Sequence, residues 1–139
     1  FNQLVSLPEE IGNFENLKTF SIGFNQIKEI PVSIGKLQSI EVISFWNNQI
    51  EKIPVELCDL KKLKVLNLSN NKLTVLPPEL GNLAMLEKLD VSSNLISTLP
   101  ETLVNLKNLK SLVVRQNQIP AVEIEKIQKA LPKCEILFQ

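Results

Sequence analysis

The stretch LKVLNLSNNKL, residues 63–73, decides the fold, because its pattern recurs along most of the 139-residue chain. Asn71 has counterparts at a constant spacing of 23 residues, namely Asn2, Asn25, Asn48, Asn94 and Asn117. In almost every copy, apolar residues stand eight, five and three positions before the asparagine, and two, five, nine and twelve positions after it. Registered repetition at a period of about 20 to 50 residues indicates a solenoid or a related repeat architecture.

Each repeat has two parts with different periodicities. Before the asparagine, Leu66 and Leu68 alternate with polar residues, which is the period of a half-buried strand. After it, apolar residues recur at threes and fours from Leu73 to Leu83, which is closer to a helical stripe. A proline ahead of that stripe suits the first turn of a short helix or 3₁₀ segment, and it occurs at Pro8, Pro31, Pro54, Pro77 and Pro100. No turn can bury its leucines alone, so we predict that the turns stack around one continuous core.

The repeated asparagines are predicted to be structural. They come where the chain leaves the strand, and there the backbone has no ladder partner. A short amide side chain can bond such backbone groups directly and align with its neighbours in the adjoining turns. We therefore assign none of them to a binding site.

The pattern L-x-x-L-x-L-x-x-N-x-L resembles the leucine-rich repeat family from one end of the chain to the other. The resemblance implies an α/β solenoid, a horseshoe with a parallel concave sheet and short helical or 3₁₀ segments on its convex side. It also implies that the concave sheet binds another protein, as is usual in this family.

Two regions are expected within this single domain. Residues 1–118 carry the repeats, and the chain opens on Phe1 in the middle of a repeat, so we expect the natural protein to continue upstream. Residues 119–139 depart from the pattern and are predicted to form a C-terminal cap. Its helix is predicted over 121–131, with Ile124, Ile127 and Leu131 on the inner face. A last strand follows, with an alternation of Cys134, Ile136 and Phe138.

Composition argues against several classes of function. Fifteen basic and fifteen acidic residues balance to zero, so no broad electrostatic footprint for nucleic acid is expected. No apolar run approaches the roughly 20 residues that a membrane span needs. The chain has no histidine, which excludes a Ser-His-Asp triad and a histidine zinc site. It has only four glycines and no G-x-G-x-x-G motif, so a phosphate-binding glycine loop is not expected. Catalysis, a metal and a cofactor are not expected.

The two cysteines are predicted to be core thiols. Cys58 takes the position that Gly12, Gly35 and Gly81 fill in the sister repeats, which suggests a small, buried site. Four strand spacings separate it from Cys134, roughly 19 Å along the solenoid axis. That distance is well beyond the reach of about 7 Å for a disulfide.

The candidate binding residues come from reading down the strand columns. Side chains six, four and two positions before each asparagine should face the concave side. This places Trp46, the single tryptophan, between the small residues Gly23 and Ser69, which are expected to leave the indole uncovered. An apolar patch is predicted towards the N-terminal half, and a polar half beyond it. The patch consists of Phe24, Val42, Trp46 and Val65, and the polar half of Lys72, Lys88, Asp90 and Arg115.

An exposed aromatic patch with charged surroundings is typical of a binding hot spot. A different interpretation of Trp46 remains open at this point, in which the indole folds flat across its small neighbours or packs on upstream repeats.

The likeness to one branch of the family favours a bacterial protein. The 23-residue form with LPxxIGxLxxL, seen in Leu7 to Gly12 and Leu76 to Gly81, is similar to bacterial leucine-rich repeat proteins, and the tail IEKIQKALPKCEILF, residues 124–138, resembles leptospiral members. That resemblance implies a surface or secreted protein that engages host or envelope proteins. The same repeat length also occurs in intracellular scaffolds of Ras signalling and in Roco GTPases, so the alternative is an intracellular scaffold or the repeat region of a larger signalling protein of the Ras-related or Roco type. Self-association through an uncapped N-terminal strand is a further expectation.

Overall fold

The computed structural model describes residues 2–139, which alternate between short parallel strands and tight turns. The strands form one sheet in the order β1-β2-β3-β4-β5-β6, and every neighbouring pair is parallel. Their bounds are β1 Thr19–Ser21, β2 Val42–Ser44, β3 Val65–Asn67, β4 Lys88–Asp90, β5 Ser111–Val113 and β6 Glu135–Leu137. This is the leucine-rich solenoid that the repeat predicts.

A 3₁₀ turn follows each proline of the repeat. These turns are Glu9–Asn13, Val32–Lys36, Val55–Asp59, Pro78–Asn82 and Glu101–Asn105. The preceding proline is extended in every case, which suits its fixed φ at the entry to a turn. Among residues 2–139, none of the helices is long and apolar enough to cross a membrane.

The core is a stack of identical positions between the sheet and the 3₁₀ turns. The central residue of each strand sits directly above its counterpart in the next, so that Ile43, Leu66 and Leu89 form one buried column. Phe45 belongs to a second column and is fully buried, with its ring edge-on to Phe20 at 5.3 Å between centroids. Each interior turn therefore buries its apolar residues against the turns on both sides.

The asparagine ladder confirms the predicted structural role. The Oδ1 of Asn71 accepts a hydrogen bond from the backbone N–H of Ile50 in the preceding turn at 2.9 Å. Its Nδ2 donates to the carbonyls of Phe45 and Leu68, both at 3.0 Å. Asn48 and Asn94 make the same set of contacts one repeat away on either side. The amides thus bridge each turn to the one before it.

Close stacking of the 3₁₀ turns explains the small-residue column. A Cβ on Gly81 would lie 2.5 Å from the carbonyl oxygen of Thr102 in the next turn, a contact that only backbone movement could relieve. Cys58 fills the same column and is 1% exposed, which confirms the small buried position expected from the sequence. Neither Cys58 nor Cys134 is in a disulfide.

The C-terminal turn carries the longest helix of the described chain, α1, Ala121–Ala130. Ile124, Ile127 and Leu131 are buried against the last repeat, and Leu131 lies just after the helix rather than inside it. The last strand is shorter than the alternation predicts. It ends at Leu137, and Phe138 lies just outside it and is 44% exposed.

Candidate functional site

The concave surface extends beyond the three residues of each strand. The N–H of Asn47 donates to the carbonyl of Ser69 at 2.9 Å, and the N–H of Asn70 donates to Ser92 at 2.9 Å. The N–H of Ser93 donates to Arg115 at 2.8 Å in the next pair. Because the ladder continues in register, Trp46, Ser69, Ser92 and Arg115 form one straight column. Parallel strands lie about 4.8 Å apart, so this column spans about 14 Å from Trp46 to Arg115.

Trp46 lies over Gly23 instead of standing free in solvent. A Cβ built on Gly23 would come within 2.4 Å of Trp46 Nε1. The indole also meets the Phe24 ring edge to face, with centroids 4.2 Å apart. Its exposed fraction is 36%, so one face is covered and the other is open. The expectation of an uncovered indole was therefore wrong for the side towards Gly23, because a glycine leaves room for the ring to fold down.

Phe24 has an unusual backbone conformation for its type. Its φ is 57°, and the same left-handed conformation occurs one position before each later asparagine, at Asn47, Asn70, Ser93 and Gln116. Asparagine tolerates this region easily, but for a bulky aromatic residue it is an outlier that costs about 1–3 kcal/mol. Strain of this kind clusters at functional sites. Its contact with Trp46 makes Phe24 part of one aromatic pair.

Replacing Gly23 by alanine is expected to displace the indole of Trp46 from its position over residue 23. The nearest atoms to the new Cβ are the far end of the Trp46 side chain, which can swing away, so the fold should tolerate the change. The emission of the single tryptophan should then shift to the red and be quenched more readily by acrylamide. Ser69→Ala, on the other side of the ring, is the control. Unchanged emission in Gly23→Ala would contradict this placement of the indole.

The remaining members of the apolar patch are two valines. Val42 on β2 and Val65 on β3 are register partners, and both are half-buried. They lie at the entry end of the strands, two columns away from Trp46. The patch is thus an aromatic pair at one end and a valine pair at the other, separated by the small side chain of Ser44.

The polar half is only partly assembled on the sheet. Lys88 and Asp90 project from β4, and Arg115 ends the Trp46 column. Lys72 comes one position after Asn71, on the loop that leaves the sheet, so the structure places it at the rim. Within residues 2–139 none of these four residues takes part in an ion pair. Glu41–Lys64 and Glu87–Lys110 pair instead along the outer border, at 3.7 and 3.3 Å.

A floor of small polar residues joins the two halves. Ser69 donates from its backbone N–H and its hydroxyl to Asn67 Oδ1, at 2.9 and 2.7 Å. Ser92 makes the same two bonds to Asp90 Oδ1, at 2.9 and 2.6 Å. Both hydroxyls are held by their own strand, so the floor between Trp46 and Arg115 is low and preorganised.

Two features of the surface were missed in reading the sequence. Leu95 is 50% exposed on the rim, in a column that otherwise holds glutamine or lysine. Comparing residues one position after each asparagine would have identified it. The sequence predicts Gly23 as a small neighbour of Trp46. That the indole lies over Gly23 depends on the side-chain rotamer of Trp46, which the sequence does not show.

The two cysteine thiols are both shifted towards the protonated form. Burial, with help from the acidic groups of Glu79 and Asp59, raises the pKa of the Cys58 thiol to about 12. Burial also raises the pKa of Cys134. Both thiols are therefore protonated at neutral pH and unsuited to nucleophilic attack. Residues 2–139 contain no cluster of three or more histidine, cysteine or acidic side chains arranged for a metal.

Comparison with known proteins identifies the family. A model described as a leucine-rich repeat region matches residues 47–131, and a second leucine-rich repeat model matches residues 15–73. The chain therefore belongs to the leucine-rich repeat family, whose fold typically serves protein–protein interaction. None of the curated protein sequences matches this chain significantly.

Solved structures show the same relationship. A leucine-rich repeat protein of Leptospira interrogans is 43% identical, covering 97% of this chain and 34% of its own, with a TM-score of 0.94. A plant peptide hormone receptor in complex with RGF2 is 29% identical over 98% of this chain and 23% of its own, with a TM-score of 0.84. An internalin of Listeria monocytogenes is 27% identical over 96% of this chain and 44% of its own, with a TM-score of 0.71. This chain thus spans about a third of the length of the leptospiral protein.

Proposed function

We propose that this chain is a non-enzymatic module that binds a protein on its concave face, with the aromatic pair Phe24–Trp46 at the centre of the contact. The observation that carries the proposal is the partly exposed indole of Trp46, which lies over Gly23 and contacts the ring of Phe24, a residue with a left-handed backbone. Rigid, half-exposed aromatic residues provide large contact area at low entropic cost, and tryptophan is enriched among binding hot spots.

The family and its neighbours support a protein ligand. One similar structure is a plant receptor solved with a peptide hormone, and another is an internalin. The likeness to the leptospiral protein favours a bacterial surface or secreted protein that engages host or envelope proteins. An intracellular scaffold is the alternative. Protease treatment of intact cells distinguishes the two, because a surface protein is cleaved and an intracellular one is protected.

Trp46→Ala is expected to weaken partner binding by about 30-fold or more, which corresponds to roughly 2 kcal/mol for a hot-spot residue. A photo-crosslinking residue at Ser69 on the concave face should first identify the partner in the native cell. The matched control is the same residue at Val55 on the convex side. The purified partner is then titrated against the unmodified chain and against the Trp46→Ala variant. A partner captured only from Val55, with an unchanged Kd for Trp46→Ala, would place the interface elsewhere.

We also propose that the N-terminal end can mediate self-association. Leu4, Val5 and Phe14 are 45%, 62% and 61% exposed there, beside a largely apolar groove. An exposed apolar patch next to the open edge of β1 favours contact with a second copy.

Phe14→Glu is expected to lower self-association of this chain, because a charge would be buried in the apolar contact. Sedimentation velocity across a concentration series measures the effect. Val55→Glu, an exposed valine on a covered repeat, is the control and should leave the distribution unchanged. A concentration-independent monomer for the unmodified chain would contradict the proposal.

A further inference from the structure

We use trough for the strip of surface formed by Ser69 and Ser92 between Trp46 and Arg115. Asn67 and Asp90 lie along one side of it, and each has a polar group without a hydrogen-bond partner in the described chain. The backbone N–H of Ser69 can only donate, so the atom of Asn67 that it contacts is the amide oxygen, and the Nδ2 group points the other way. Asp90 is held in the same manner by Ser92. Within residues 2–139, Asn67 Nδ2 has no hydrogen-bond acceptor, and Asp90 Oδ2 has no donor.

These two groups are an adjacent donor and acceptor. Asn67 and Asp90 are register partners on β3 and β4, so they stand about 4.8 Å apart. In an extended chain, a carbonyl and the N–H two residues later project from the same edge, roughly 4 to 5 Å apart by standard backbone dimensions. A helix in the partner uses its backbone carbonyl and N–H groups for its own hydrogen bonds, so they are not free to pair with Asn67 and Asp90. The pair therefore fits an extended segment.

The ends of the trough fix which side chains that segment needs. Trp46 and Arg115 lie about 14 Å apart, which an extended chain covers in about four residues. Residues at i, i+2 and i+4 of a strand all face the same way. The first would rest on the open face of Trp46, the second on the serine floor, and the third beside the unpaired guanidinium of Arg115.

Resting on the proposed protein-binding function, the geometry points to a partner segment that binds in extended form across the strands, with an apolar residue followed by a small residue at i+2 and an acidic residue at i+4. Asn67 donates to a main-chain carbonyl of the segment, and Asp90 accepts from the N–H two residues later. This order makes the segment run from Trp46 towards Arg115 in the N-to-C direction. Arg115 selects the carboxylate, because the arginine fork matches its geometry.

A synthetic peptide tests this assignment on the full 139-residue chain. The probe is acetyl-Phe-Thr-Ser-Thr-Glu-amide, with binding followed by the emission of Trp46 and by NMR shifts of the Ser69 and Ser92 amides. We expect binding that weakens about tenfold when the peptide's Glu is replaced by Gln. The reversed peptide, acetyl-Glu-Thr-Ser-Thr-Phe-amide, should also bind more weakly.

Two protein variants test the roles of Arg115 and Asn67 separately. Arg115→Gln should abolish the preference for the Glu peptide over the Gln peptide. Asn67→Asp keeps the contacts to Ser69, as Asp90 keeps those to Ser92, but replaces the donor by an acceptor. It should weaken both peptides. Equal binding of forward and reversed peptides, equal binding of the Glu and Gln peptides, or no binding would overturn the inference.

The outcome is distinguishable from failure of the proposed function itself. A protein partner that needs Trp46 but binds Arg115→Gln and Asn67→Asp with unchanged affinity would sink the extended-segment assignment alone. A partner that ignores Trp46 would overturn the concave-face proposal.

Discussion

Phe45→Ala is expected to lower the free energy of unfolding by about 3–5 kcal/mol, the range for truncation of a buried phenylalanine. The ring is fully buried and packs edge-on against Phe20 in the preceding turn. Because the fold is a one-dimensional stack, the cavity opens between two turns and weakens their interface as well as the repeat itself. Urea unfolding followed by circular dichroism measures the loss.

The matched control is the next residue along the chain. Trp46 lies on the opposite side of the backbone and keeps one face in solvent, so Trp46→Ala should cost about 1 kcal/mol or less of stability, as for most surface positions. Equal losses in the two variants would mean that Trp46 is a core residue. In that case its role as a binding hot spot would have to be abandoned.

Asn71→Ala is expected to cost about 3 kcal/mol of stability, an unusually large effect for a polar residue. The N–H of Ile50 loses the Asn71 oxygen and is left buried without an acceptor. The carbonyls of Phe45 and Leu68 each keep a second donor, from Asn48 and Asn94, so their loss is smaller. The orphaned donor therefore dominates the cost.

Asn105→Ala is the control for the asparagine ladder. Its side chain is exposed in a 3₁₀ turn, so its replacement should change the unfolding midpoint little. Native-state hydrogen exchange offers a second readout, because the Ile50 amide should lose its protection in Asn71→Ala. A loss as small as that of Asn105→Ala would show that water can replace the buried amide.

The repeat made most of the fold predictable. Leu66 and Asn71 recur with fixed neighbours, and each recurrence repeats the same physical requirement, so strand, turn, ladder and core follow from one copy. The end of the chain was less predictable. Phe138 continues the apolar alternation of the last strand, but the strand ends one residue before it and its side chain is exposed.

The sequence predicts which candidate residues lie on the concave side, but not how their side chains are arranged. Because alternate side chains of a strand point to the same face of the sheet, the sequence predicts that Trp46, Asp90 and Arg115 lie on the concave side. It could not place Lys72 at the rim, since that residue lies where the strand period has ended.

The sequence by itself determined the repeat, the parallel sheet, the buried leucine columns and the asparagine ladder, because each depends on the type and spacing of residues alone. Only the tertiary structure decided that the indole folds onto Gly23 and that Asn67 and Asp90 present a donor beside an acceptor. The physical reason is that a rotamer and an amide orientation are set by contacts across turns, 23 residues apart in the chain. Those contacts exist only after the turns have stacked.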